Sequence, residues 1–261
     1  MSDRITKENL EEIVKTNKEI HDEIDGCVKK VYTTYNKANI HSPEKLAINI
    51  LKDHNLIEIP IDDKYLGGKV EVRNNKKIPI INTSQPRVYQ YFVAWHEVYH
   101  ILFDDSLNSE QIYAEMNVVD VPLIERKADY FAASMLLGNV FEYYMDLEGD
   151  FIDKIMKCID TYKAPYKAIL VKLYECADRY ENEKLKNLCL EYIDKKPGNL
   201  IEKFEELELD SELVRPSNLV RLGDIESLIQ KEIEINPQVT YHEENKKYLE
   251  KLKKSISKDS Y

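Results

Sequence analysis

Residues 94 to 100 read AWHEVYH, and His96 and His100 within that stretch are two of only six histidines in 261 residues. A spacing of four stacks two side chains on one face of an α-helix. The segment must therefore be helical if both imidazoles are to act together, and the helix needs something to face. In H-E-x-x-H the two histidines can hold one Zn²⁺, while Glu97, one step round the helix, meets a water at the metal's open position, where hydrolysis needs a general base. The competing explanation is two core-facing histidines hydrogen-bonded to backbone. Catalytic zinc takes three protein ligands, so the choice turns on whether the chain offers a third.

It does so in ERKAD, residues 125–129. Glu125 and Asp129 are again four apart and share one side of a second helix. Ala128, Ala132 and Ala133 give that helix a small surface by which it can approach the first closely. Glu125 is then the expected third ligand, and Asp129 is placed to take the Nδ1–H of a ligand histidine and fix its tautomer. Alone, such an acid pair is more often a solvated helix face. Following H-E-x-x-H on an alanine-rich helix, it is what the geometry requires.

The surrounding pattern alternates between two periods. Residues 8 to 37 carry Leu10, Ile13, Val14, Ile20, Ile24, Val28 and Val31 at helical spacing among charges. Ser42-Pro43-Glu44 starts a second helix, with Ser42 as cap and Pro43 in the first turn. IEIPI, KVEVRN and KKIPIIN, separated by turns at Gly67-Gly68 and Asn74-Asn75, read as a short antiparallel sheet, with Pro60 and Pro79 confining their strands to edges or irregular pairing. A helix with Pro86 in its first turn then runs to Phe103 and is stopped by Asp104-Asp105. A second resumes at ERKADYFAASMLL and ends at Gly138, and the chain beyond residue 150 is mostly helical. The expected organisation is a helical extension over 1–41, a core over 42–150 and a helical substrate- or partner-binding domain over 151–261.

Forty-three per cent hydrophobic residues suffice for a real core. The formal net charge of -11 disfavours wholesale binding to nucleic acid and favours basic partners. Cys27, Cys158, Cys176 and Cys189 are widely spaced and read as reduced thiols. The polar N-terminus and the lack of any long apolar run point to a cytoplasmic protein without export signal or membrane span.

The run from IPIIN through YFVAWHEVYHILF to ERKADYFAASMLL resembles the ImmA/IrrE family of zinc metallopeptidases, over about residues 45 to 140. The resemblance implies an α+β zincin-like core, His96, His100 and Glu125 as zinc ligands, and Glu97 as catalytic acid/base. It implies a zinc metallo-endopeptidase of gluzincin type whose substrate is a specific helix-turn-helix transcriptional repressor. The alternative is the same fold acting as a non-hydrolytic anti-repressor. The chain departs from the family in carrying Gly138-Asn139 where members often continue with Met-Pro.

Residues 153 to 173 hold five lysines against two aspartates and form the expected docking surface, with a DNA-reading helix-turn-helix the less favoured reading. Arg87, Tyr99, Tyr162 and Tyr166 are candidate oxyanion donors, each equally explained by packing or surface roles. His21, His41, His54 and His242 have no ligand spacing and read as surface or structural.

Overall fold

A computed structural model describes residues 5–35, 42–108, 120–195 and 197–258; His41 lies outside them. The first helix, α1 (Leu10–Tyr35), buries Leu10, Val14, Ile20, Ile24 and Val31 along one side. α2 (Pro43–Lys52) starts with Pro43 in its first turn and buries Leu46, Ala47, Ile50 and Leu51; Ser42 occupies the N-cap in an extended conformation, but its side chain makes no capping hydrogen bond.

Three strands follow, β1 (Ile57–Ile59), β2 (Gly68–Arg73) and β3 (Lys76–Asn82), and β4 (Arg221–Leu222) joins from far along the chain. Their order in the sheet is β2-β3-β1-β4. β2 and β3 form the expected hairpin, with Asn74 and Asn75 both left-handed at φ 50° and 60°, as a tight two-residue turn demands. The sheet is mixed, not antiparallel throughout, because β1 runs parallel to β3. Residues 60–67 carry the chain across to the outer side of β3 before β2 begins, so β1 and β3 end up side by side in the same direction. Pro79 also sits in an interior strand: it pairs with Val70 on β2, and the β1 register starts one residue later, at Ile57 with Ile80. The proline's missing N–H therefore costs no ladder bond.

α3 (Arg87–Leu102) packs against β2 and β3, and α4 (Asp120–Leu136) packs against α3. Ala128 and Ala132 are fully buried, and Phe131 packs on Trp95, Tyr99 and Phe103 with ring centroids 5.9, 5.7 and 5.6 Å away. Large rings beside small alanines fix both the separation and the rotation of the two helices. α1 lies along α4, tied to it by Lys127–Glu23 at 2.8 Å and by His21 Nδ1 to the Tyr130 hydroxyl at 3.1 Å.

The remainder is helical: α5 (Val140–Asp146), α6 (Phe151–Tyr162), α7 (Tyr166–Arg179), α8 (Glu183–Tyr192), α9 (Leu200–Glu206), α10 (Ile225–Ile235) and α11 (His242–Lys258). α6 and α7 are core helices burying Ile155, Met156, Ile159, Ile169, Leu170 and Leu173. The lysines of 153–173 all meet partners inside the chain: Lys154 with the Tyr144 carbonyl, Lys157 with that of Glu148, Lys163 with Glu44, Lys167 with the Ile5 carbonyl and Lys172 with Glu175. Lys163 and Lys172 are paired with carboxylates, whereas Lys154, Lys157 and Lys167 bond to neutral carbonyls. All four cysteines are free, and none of the described helices is long and apolar enough to cross a membrane. The architecture is α+β and zincin-like, mostly helical with one small mixed sheet.

Candidate metal centre

α3 delivers His96 and His100 on one face, and α4 brings Glu125 to meet them. One ligand atom from each of the three lies within 4.8 Å of the others. The separations are 3.1 Å between the two Nε2 atoms, 3.4 Å from His96 Nε2 to Glu125 Oε2 and 3.5 Å from His100 Nε2 to Glu125 Oε1. Four ligands held about 2.0–2.1 Å from a tetrahedral zinc stand about 3.3 Å apart, so the triangle has the right size.

The far side of each imidazole fixes its chemistry. His96 Nδ1 lies 2.9 Å from Asp129 Oδ1, and His100 Nδ1 lies 2.9 Å from Asp104 Oδ2. A carboxylate accepts only, so each Nδ1 carries the proton and donates it, leaving both Nε2 lone pairs turned toward one point. Two lone pairs 3.1 Å apart repel unless a cation lies between them. The field there is set for one: burial works against a charge on His96, yet the Asp129 and Glu125 carboxylates outweigh it and lift the His96 pKa to about 10. The donor set of two imidazoles and a carboxylate, each with its outer partner, fits a zinc-type ion.

Glu97 is buried, 3 % exposed, and that burial, with the nearby Glu125 charge, raises its pKa against the pull of His96 and His100. A carboxylate moved toward neutrality is suited to taking and returning a proton. What covers it is the start of β2. A Cβ on Gly68 would sit 2.6 Å from Val93 Cγ1, 2.8 Å from the Ile80 carbonyl and 3.0 Å from Glu97 Oε1, so only glycine lets the strand pass this close to the helix.

A cleft opens on both sides of this point. One half, about 420 Å³, is bordered by Tyr65, Gln85, Pro86 and Tyr89; the other, about 190 Å³, by Lys69, Val70, Ser106 and Leu107. Asn82, at the end of β3, shapes the larger half. Its Oδ1 accepts from the backbone N–H groups of Ile61 and Ser84, and its Nδ2 donates to the carbonyls of Asp63 and Leu66, pinning the loop over residues 61–66.

The structure brings His96, His100 and Glu125 together, with Asp129 at His96 Nδ1 and Glu97 in the same cleft. Asp104, expected only as a helix stop, adds a partner for His100, and its i+4 spacing from His100 was the available signal. Lys77 was also missed: from β3 its Nζ donates to the carbonyls of His100, Ile101 and Asp104, each at 3.1 Å, closing the end of α3. None of the four candidate oxyanion donors borders either half of the cleft. Arg87 pairs with Glu212, Tyr99 packs among the rings between α3 and α4, Tyr162 donates to Asn139, and Tyr166 donates to the Tyr192 carbonyl. The phenols that do border it are Tyr65 and Tyr89. His21 and His242 are structural, His242 Nε2 lying 2.8 Å from the Asn236 carbonyl.

The IrrE N-terminal-like domain, a peptidase family, matches residues 52–174, a span that contains the sheet hairpin, both metal-site helices and most of α7. The match supports the ImmA/IrrE resemblance for that segment of the chain. Searches of curated proteins and of solved structures give no significant match. The match supports a metallopeptidase-type function for this segment, a function that implies a metal, and His96, His100 and Glu125 are the cluster that could hold one.

Proposed function

We propose that the chain is a zinc-dependent endopeptidase of gluzincin type, with His96, His100 and Glu125 as zinc ligands, Glu97 as general acid/base and Asp129 orienting His96. The observation that carries this is the buried Glu97 carboxylate beside the converging Nε2, Nε2 and carboxylate atoms, in a cleft open at both ends. A zinc ion there would polarise the scissile carbonyl and acidify water. Glu97 takes the proton of the attacking water and passes it to the leaving amine nitrogen as the C–N bond breaks. Asp129 and Asp104 keep the imidazole lone pairs aimed inward throughout. β2 lies at the sheet edge, with no strand paired to its outer side among the described residues, and borders the cleft through Gly68, Lys69 and Val70, so an extended substrate segment can add to it as a further strand.

The substrate we infer is one cytoplasmic helix-turn-helix repressor. The family resemblance supports it, and the net charge of -11 would steer a basic DNA-binding domain toward the chain at low salt. The test mixes the protein with the repressor encoded beside it and with casein, with and without a chelator. Chelator-sensitive cleavage of the repressor at one site is expected. Tight binding to an uncut repressor would assign the chain to the anti-repressor reading, and rapid casein digestion would remove the specificity.

A further inference from the structure

Lys77 lies in β3, opposite Val72 of β2, and its Nζ donates to three backbone carbonyls around the end of α3, those of His100, Ile101 and Asp104, each at 3.1 Å. An ammonium has three protons, one for each carbonyl, so none is left for the cleft, whose border does not include Lys77. The first and last of these carbonyls belong to the two partners of one side-chain hydrogen bond, from His100 Nδ1 to Asp104 Oδ2 at 2.9 Å. Those partners are not held alike. His100 is inside α3, where the helix fixes its backbone, but Asp104 stands two residues past the helix end at Leu102, where helical hydrogen bonding no longer sets its direction. Ser106 holds the other carboxylate oxygen, Oδ1, through its N–H and hydroxyl, which fixes the rotation of the side chain. The backbone that carries it is fixed from β3. Asp104 and Asp105 face the ammonium and offset its charge.

We propose that Lys77 is a positioning residue for the metal centre: by tying the backbone of Asp104 to that of His100 it holds the Asp104 carboxylate on His100 Nδ1, and so aims His100 Nε2 at the ion. The inference rests on the reading of His96, His100 and Glu125 as zinc ligands. Charge and position act in opposite directions here, which separates them. Lys77 puts a positive charge beside a ligand of a dication, so on electrostatics alone its removal tightens zinc binding. As the holder of Asp104, its removal weakens that binding. The second effect is the larger, because a lost outer partner costs about 10- to 100-fold in metal affinity, while the charge of Lys77 is already offset by two aspartates. The hairpin then serves the site twice, β2 by covering Glu97 at Gly68 and β3 by fixing the outer partner of His100.

Lys77→Met keeps most of the apolar stem and removes the donors. Zinc affinity is measured by chelator competition in the wild type, Lys77→Met, Asp104→Ala and the double variant. Lys77→Met should lose about 10-fold, and in the Asp104→Ala background it should lose nothing further, since no carboxylate remains to be positioned. A second readout needs no metal: NMR of the imidazole Nδ1 protons should show faster exchange at His100 in Lys77→Met and no change at His96, whose Nδ1 is held by Asp129. If Lys77→Met does not fold, Lys77→Gln, which keeps a shorter donor, takes its place, with a smaller loss in the same direction. Zinc affinity unchanged or raised, equal losses in both backgrounds, or equal changes at the two histidines would each overturn the proposal. A wild type that takes up no zinc would remove the reading of the metal centre instead, and the exchange rates at His100 and His96 would then decide the role of Lys77.

Discussion

Replacing Asp104 with Ala removes the carboxylate on His100 Nδ1 while leaving every ligand atom in place. The contact is 2.9 Å long and the Asp104 side chain is 6 % exposed, so water does not take over the role without cost. A charge-assisted hydrogen bond of that kind contributes about 1.5–3 kcal/mol. Part of it survives as the imidazole rotates to a new partner, which leaves a loss of about 10- to 100-fold in zinc affinity, about 1.4–2.7 kcal/mol. Asp104 accepts from His100 Nδ1–H through Oδ2 and from the Ser106 N–H through Oδ1, so Asp104→Asn, with a single amide oxygen, keeps one of these acceptors and loses the other with the charge; a loss of at least about 10-fold is expected. Asp129 serves the other histidine, so the losses in Asp104→Ala and Asp129→Ala should multiply. The assay is competition for zinc against a chromophoric chelator at constant pH, with circular dichroism and a melting curve on each variant. Wild-type affinity in Asp104→Ala alongside a lowered melting temperature would refute the reasoning and reduce Asp104 to a helix terminator.

Three further outcomes are expected. Glu97→Gln should retain zinc, measured by elemental analysis, and lose peptidase activity; full activity would remove Glu97 as the base. Gly68→Ala should destabilise the fold by about 1–3 kcal/mol, and adding Val93→Ala should not rescue it, because the Ile80 carbonyl also blocks the new methyl; Gly67→Ala, which meets only Val93, should be rescued, and both follow from urea denaturation. Asp178 accepts from Lys18 and Lys186, which hold its pKa near 2 against an ordinary 3.8. A depressed carboxylate stabilises the fold above its unfolded pKa and ceases to do so as pH falls from about 3.8 toward 2. Asp178→Asn should therefore cost no more than about 1 kcal/mol near neutrality, given solvent screening, and nothing at pH 2, as denaturation at the two pH values will show.

The parts of this protein legible in its sequence are those encoded by local period. H-E-x-x-H and the Glu125/Asp129 pair each lie within two turns of one helix, where spacing alone sets the shared face, and the alanines of α4 announced how near the two helices come. Asp104 escaped because it acts from just past the end of α3, where helical periodicity no longer predicts direction. β4 escaped because it is two residues long and pairs with a strand more than 160 residues earlier, and the parallel pairing of β1 depends on the route of residues 60–67. The partners of the lysines of 153–173 were illegible for a related reason: charge is visible in a sequence, but the Glu44 carboxylate and the Ile5 carbonyl that two of them meet come from the opposite end of the chain.

An open sheet edge will accept any extended chain, including a neighbour's β2. Here the exposed strand is only six residues long and carries a charged strip in which Glu71 pairs with both Lys69 and Arg73. Strand length and charge of that kind are the devices by which proteins keep bare edges from stacking into aggregates. Replacing Lys69, Glu71 and Arg73 with threonine or valine would leave His96, His100 and Glu125 in place and remove the charged strip from this edge, so the strand that walls the cleft through Lys69 would lose its guard against pairing with a neighbour's β2.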